Sequence, residues 1–426
     1  MRILYVSQYF PPEMGAPAAR VSQLARCWRQ MGHDARVLTG FPNHPGGRVY
    51  PGFRRRFWKG FDREQYCGVT VYRTWLYPSA NRGVIRRSAN YASFCLSAAV
   101  RGIFLDFQPE VIIGTSPQLL CAQAASWIAR RRGARFVLEV RDLWPESLAA
   151  VGACAPESRL YRVLDRLAQN LYRQAWKTVV VTEEFRRRLL DRGLAPERLA
   201  VVKNGVDAEM FHPDVPPARH PELAGKFVVS YVGTFGMAHS VSTILRAAEM
   251  LRARRDIHFL IIGNGAEREN LLRQRRESGL DNVTFLGQQP WSAIPSYLTL
   301  SSACIVHLAR SPLFETVLPS KMFEIMAAAR PVVLGVRGEA ESLLNTARAG
   351  VAVQPESPAE ISRAIERLAA DPELCRRLGQ NGREYVVRHS SFQRRACEYL
   401  EVLENQVPGV RCQVSGVQAE VPSGSR

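Results

Sequence analysis

Thirteen short, unbroken apolar runs alternate with longer amphipathic segments along this chain, and no other feature limits its possible folds as much. The runs occupy 2–6, 35–39, 69–73, 111–114, 136–140, 178–182 and 200–203, then 227–232, 258–263, 283–287, 303–308, 331–336 and 351–353. Continuous Val/Ile/Leu, as opposed to alternating apolar and polar residues, marks strands covered on both faces, as in parallel sheets. Helical patterns such as 17–32, closed by Gly32, and 241–255 lie between them. Strand, helix, strand repeated in this way predicts a doubly wound α/β fold. Residues 212–226 interrupt the pattern with Pro213, Pro216, Pro217 and Pro221, and read as an interdomain connection. A chain of 426 residues is too long for one ordinary core. The expectation is two Rossmann-like domains facing across a cleft, at 1–208 and 209–386. A C-terminal helix over 387–406 is expected to pack back on the first domain, and 407–426, which has no periodicity, to be disordered.

The formal net charge is +18, and it is uneven. Residues 48–101 hold eleven Lys/Arg against two Asp/Glu, a net +9, interleaved with Phe53, Phe57, Trp58, Phe61, Tyr66, Trp75, Tyr77, Tyr91 and Phe94. Basic groups among aromatics suit an anionic lipid surface. Nucleic acid would suit the same pattern, and a solvated basic face is the plainest alternative. No stretch approaches the roughly 20 apolar residues that cross a bilayer, and the N-terminus reads as a buried strand better than as a signal peptide. The nine cysteines stand singly, without a C-x-x-C pair, so reduced thiols and no structural zinc are expected.

Three loops carry the candidate chemistry. The first strand ends in SQYFPPEMGAPAAR, where Gly15 opens a helix whose free amides and positive dipole end suit phosphate. One glycine is not the G-x-G-x-x-G fingerprint, which counts against NAD(P) and FAD. In YVGTFGMAH, Gly233, Thr234 and Gly236 form a second turn directly after a buried strand. The third loop is ETVLPSKMFEIMAAARPVV at 315–333. There Lys321, beside Ser320 near a helix start, can neutralise a diphosphate, and Glu324 can accept two hydrogen bonds from a ribose diol. A surface salt bridge between Lys321 and Glu324 is the competing reading. However, Glu324 sits among Met322, Phe323, Ile325 and Met326, where a carboxylate needs partners. Asn264 and Gly265 at one strand end, and Leu286 and Gly287 at another, place backbone groups where a base edge could be bound.

Taken together, YFPPEMGAPAAR, RDLWPES at 141–147, NGVD at 204–207, YVGTFGMAH, GNG, FLG and PSKMFEIMAA resemble a family 4 glycosyltransferase of the GT-B fold, from Met1 to Gln406. The likeness points to the subgroup of bacterial O-antigen, capsule and exopolysaccharide assembly, including N-acetylfucosamine-type amino-sugar transferases. It implies a retaining transfer without metal or other cofactor, and a nucleotide sugar, expected to be UDP-linked, held mainly by the C-terminal domain. Glu324 matches the second glutamate of the family's paired-glutamate motif. The first falls on Thr316, where this sequence departs from the pattern, with Glu315 beside it. The Arg/Lys pair found after the GTFG-type turn is replaced by His239 and Ser240, which leaves Lys321 and backbone amides for the diphosphate. Where many relatives carry a histidine this chain has Arg141, so the resemblance sets Arg141 and Asp142 toward the reacting sugar.

The implied reaction moves a sugar from a nucleotide sugar to an acceptor hydroxyl and releases a nucleoside diphosphate. The basic aromatic segment makes a lipid-linked saccharide the expected acceptor. It also sets the expected location as cytoplasmic, peripheral on the inner face of the plasma membrane. A GT-B sugar-nucleotide epimerase would share fold and donor without needing an acceptor. A nucleic-acid-binding protein would use the arginine-rich face, but no binding module appears and no nucleic-acid partner is expected.

Overall fold

The computed structural model describes residues 1–80, 84–150, 152 and 154–404; the tail expected at 407–426 lies outside them. Its strands are β1 (Arg2–Val6), β2 (Asp34–Gly40), β3 (Phe61–Tyr66), β4 (Val69–Thr74), β5 (Val111–Thr115), β6 (Arg135–Val140), β7 (Lys177–Val180), β8 (Leu199–Val201), β9 (Phe227–Thr234), β10 (Ile257–Asn264), β11 (Val283–Leu286), β12 (Ala303–His307), β13 (Val332–Gly335) and β14 (Gly350–Ala352). Every apolar run forms a strand. The one addition is β3, FDREQY, antiparallel to β4 at the edge of its sheet with none of its residues buried. An edge strand pairs on one side only, so it needs no apolar run.

The first sheet has the order β3-β4-β2-β1-β5-β6-β7-β8 and the second β11-β10-β9-β12-β13-β14, all other pairings being parallel. The chain winds outward from β1 through β2 to β4, then returns to place β5 on the other side of β1. Likewise β10 and β11 lie on one side of β9, and β12 on the other. Ligands of such sheets bind beyond the carboxyl ends of the strands at these reversals. Each half therefore offers one switch point, β1/β5 and β9/β12.

Two chain crossings join the halves side by side. The Val206 amide donates to Ser390 O (2.8 Å) and the Phe392 amide to Val206 O (3.2 Å). The helix Phe392–Leu403 then returns to the first sheet, where Trp28 Nε1 donates to Ala396 O (3.0 Å) and the Trp28 ring lies 5.3 Å from that of Tyr399. Between the halves, Lys203 pairs with Glu339 (2.6 Å), Glu339 also accepts the Glu183 amide (3.0 Å), and Asn204 Nδ2 donates to Leu318 O (3.2 Å). Seven described cysteines are free thiols, but Cys397 is disulfide-bonded, which corrects the expectation of thiols throughout.

Candidate active site

On the C-terminal side the site is built by close approach of backbone. Gly233, next to last in β9, has φ 154°, and a Cβ there would lie 2.4 Å from Lys321 Nζ. A Cβ on Gly265 would sit 2.3 Å from Phe235 O. Glycine at these positions lets Lys321 reach across the end of β9, and lets the loop after β10 close on the GTFG turn. Lys321 Nζ lies 4.4 Å from the Tyr231 ring centroid and donates to its hydroxyl (3.3 Å). Glu324, one turn later, instead takes the Trp291 indole. The surface salt bridge therefore does not form: Glu324 lines the narrow space between the halves, and Lys321 lies buried over the end of β9.

Burial sets the titration of this pair. It lowers Lys321 to about 8, against the pull of Glu324, and pushes Glu324 up to about 7, against Lys321 and Trp291. If binding needs Glu324 ionised and Lys321 charged, donor affinity falls as pH drops below about 7 and again as it rises above about 8. Calorimetric titrations across that range should give a bell. Glu324→Gln should lose the acid limb and Lys321→Arg should move the alkaline limb upward; a flat profile in the wild type would contradict both assignments.

The remaining donor-side candidates separate by location. Asn264 and Gly265 line a cavity of about 340 Å³ with Arg268, Glu269 and Gly287, where β10 and β11 end. Leu286 packs, partly buried, against the apolar cluster that holds Leu260 and Ile262, which leaves its backbone groups for a ligand. Ser320 and Glu324 line a narrow space shared with Ala16, Ala19, Asn204 and Trp291, which brings the Gly15 helix start beside Glu324 across the halves. Gly15 offers that helix no side-chain cap, and neither Ser240 nor Pro319 caps the helix after it, whereas Thr182 does cap the helix Glu183–Asp191. Uncapped amides at these starts remain free for an anion. Thr234 is exposed, its carbonyl accepting the Tyr231 hydroxyl (2.8 Å), and Gly236 begins the turn Met237–His239.

The departure at the paired-glutamate motif resolves in the turn Phe314–Thr316. Thr316 is 2% exposed and its hydroxyl donates to Leu313 O (2.6 Å), so it reads nothing in the cleft. Glu315 is exposed and lines a cavity of about 270 Å³ with Arg310, Ser311, Arg337 and Gln354. His239 does not replace the missing cation, since burial and then Lys321 lower it to about 3. Its loop is held from behind by residues that the sequence does not flag. His307 Nδ1 contacts His239 O (2.9 Å), and Glu356 accepts Ser240 Oγ (3.0 Å) and the Arg310 amide (3.0 Å).

On the N-terminal side Arg141 is anchored through Nε to Thr115 Oγ1 (2.9 Å) and Ser116 O (3.0 Å). Among the described residues its terminal nitrogens make no hydrogen bond. Behind it stands Glu139, fully buried, accepting from Arg20 Nε (2.9 Å), Thr115 Oγ1 (3.0 Å) and the Tyr5 hydroxyl. Burial opposes its charge, but Arg20 and Arg141 hold it below the usual carboxylate range. A glutamate inside the run FVLEV was the signal for this hub, because a buried carboxylate requires partners. Asp142, beside Arg141, accepts from Ser147 Oγ and Trp144 within its own loop, and burial pushes its carboxyl up to about 6, so these bonds tie it to the shape of that loop.

Comparison with known proteins fits this division. The model for "Glycosyl transferase 4-like domain" matches residues 15–205, and that for "Glycosyl transferases group 1" matches residues 217–385. The chain belongs to the glycosyltransferases of the GT-B fold. Escherichia coli K12 WcaI, named as a colanic acid biosynthesis glycosyl transferase, is 26% identical over 84% of this chain and 89% of its own. Among solved structures, sucrose-phosphate synthase from Thermosynechococcus elongatus has a TM-score of 0.74 at 18% identity, covering 95% of this chain and 98% of that one. Anabaena HepE in complex with UDP-glucose has a TM-score of 0.68 at 15% identity, covering 95% and 100%. For this glycosyltransferase a nucleotide sugar is the donor, and the epimerase alternative is not favoured.

Proposed function

We propose that this glycosyltransferase takes a UDP-linked hexose or N-acetylhexosamine in its C-terminal domain (209–386) and transfers it, with retention, to a lipid-linked saccharide held by its N-terminal domain (1–208). The observation that carries the reading is Lys321, laid over Gly233 at the β9/β12 switch point between uncapped helix starts. There an ammonium and backbone amides converge on one place for a diphosphate. Glu324 accepts the ribose diol, and Asn264, Gly265 and the Leu286 backbone border the base. Glu315 takes the sugar hydroxyls that Thr316 cannot reach. Departure of the diphosphate leaves an oxocarbenium-like sugar, and fixed donors facing the leaving group stabilise that charge separation without reorganising. Arg141, held by Glu139, faces the reacting sugar from the other domain.

The likeness to WcaI supports a role in bacterial surface polysaccharide synthesis. The basic aromatic segment supports a peripheral place on the cytoplasmic membrane face. Among the described residues no helix is long and apolar enough to cross a membrane. A panel of nucleotide sugars tests the donor assignment. The matching donor at about 100 times its Kd should add about 2.7 kcal/mol of stability, with EDTA present. If no nucleotide sugar or nucleoside diphosphate shifts the melting temperature, the donor site is misassigned.

A further inference from the structure

The helix Val84–Ile103 presents two faces. Phe94, Cys95, Ala98 and Ala99 lie in the core of the first domain. On the opposite side Ile85, Ala89, Ala92, Leu96 and Val100 recur every three or four residues and all are exposed, Ile85 by 85%, Leu96 by 61% and Val100 by 57%. At 1.5 Å per residue this is an apolar stripe about 22 Å long. Exposed apolar groups are ordinary singly, but a continuous row is not. Phe104, directly after the helix, is 80% exposed. The turn carrying Trp58, 83% exposed, and the helix are both bound to the segment after β4: the Trp75 amide donates to Gly60 O (3.0 Å) and the Tyr77 amide to Ser93 Oγ (2.8 Å).

The charges around the stripe indicate its occupant. Arg54, Arg55, Lys59, Arg86 and Arg101 are exposed, while Arg56 is tied to Asp62 (2.7 Å) and Glu64 (2.8 Å) and Arg73 is buried against Glu64 (2.6 Å). An apolar row with exposed Arg86 and Arg101 on its own helix, and further exposed cations on the Arg54–Lys59 turn of the same domain, matches an anionic bilayer interface. The helix also reaches the cleft. Asn90 Oδ1 accepts from Gln8 Nε2 (2.5 Å), and Tyr91 bonds Tyr9 and Gln118, in the loops after β1 and β5. Arg87, beside Tyr9 and Tyr91, makes no ion pair among the described residues.

We propose that Val84–Ile103 lies in the plane of an anionic membrane, with Ile85, Leu96 and Val100 inserted among the lipid chains. Its Arg87–Tyr91 turn then holds the mouth of the acceptor cleft at the lipid surface. The proposal rests on the membrane-borne acceptor proposed above and adds how the domain meets the bilayer: by apolar insertion as well as by charge. Lipid binding then has a component that salt cannot screen.

Co-sedimentation with phosphatidylglycerol/phosphatidylethanolamine vesicles tests it, using the full chain and the variant Ile85→Gln/Leu96→Gln/Val100→Gln. All three side chains are exposed, so the variant should keep its melting temperature and its donor affinity. Its vesicle affinity should fall by about 10-fold or more. Wild-type binding should weaken but persist at about 1 M salt, where screening acts within about 3 Å. Unchanged vesicle binding in the variant, or complete release of the wild type by salt, overturns the insertion. So does sedimentation velocity showing that the stripe holds two copies of the chain together and that the variant is monomeric. The transfer assay in detergent micelles separates this failure from that of the proposed function. Transfer to lipid-linked acceptor in micelles, by an enzyme whose vesicle binding salt abolishes or the triple substitution leaves unchanged, sinks the stripe alone.

Discussion

Replacing Lys321 with alanine should lower the rate of transfer by about 10²- to 10³-fold, the cost of removing one preorganised stabiliser of developing charge. Its neighbours leave little to compensate. His239, where the family resemblance implies a cation, is held neutral by burial and by Lys321 itself. Loss of the ammonium should not unfold the chain, because a lysine lowered to about 8 by burial contributes little to stability. Lys321→Arg should recover only part of the rate, since a planar guanidinium does not fit over Gly233 as a compact ammonium does. Gly233→Ala should reproduce part of the loss without touching the charge, its Cβ falling 2.4 Å from Nζ. Single-turnover rates with EDTA present give the comparison. If EDTA silences the wild type and magnesium restores it, a metal does the work assigned here to Lys321.

The second large effect belongs to Glu324. Glu324→Ala should weaken donor binding by about 100-fold, the loss of charged hydrogen bonds worth roughly 1.5–3 kcal/mol each. Removing the same bonds from the ligand provides a control. A 2′,3′-dideoxy nucleoside diphosphate should bind wild type and variant with similar, weak affinity. Calorimetry showing equal affinity of both proteins for the full donor would remove Glu324 from the ribose.

How much of this was readable from the chain depends on what each feature needs. Strands buried on both faces must be apolar throughout, so the two doubly wound sheets are plain in the sequence. β3 pairs on one side only and leaves no such trace. Lys321 and Glu324 are visible because charged residues beside Met322 and Phe323 require a reason, and the structure shows them facing different partners. Arg141 and Asp142 are adjacent and look equivalent, yet Ser147 and Trp144 turn Asp142 into its own loop. Only the fold of the turn Phe314–Thr316 decides that Thr316 points inward and Glu315 outward. The apolar stripe was hidden for a related reason. In a segment rich in arginine and aromatics, which side of Val84–Ile103 meets the core is set by helix 119–132, against which Gly102 packs on Ile128.

The most direct test of the account is to follow the sugar itself. Purified enzyme, bacterial membranes bearing lipid-linked saccharides, EDTA and the nucleotide sugar that stabilises the protein, labelled in its sugar, are incubated and extracted with organic solvent. Label should appear in the lipid fraction in step with release of nucleoside diphosphate, and neither should occur with Lys321→Ala beyond about 1% of the wild-type rate. Label that remains in water as free or altered sugar, with nothing lipid-linked, would contradict the claim that this enzyme glycosylates a lipid-borne acceptor.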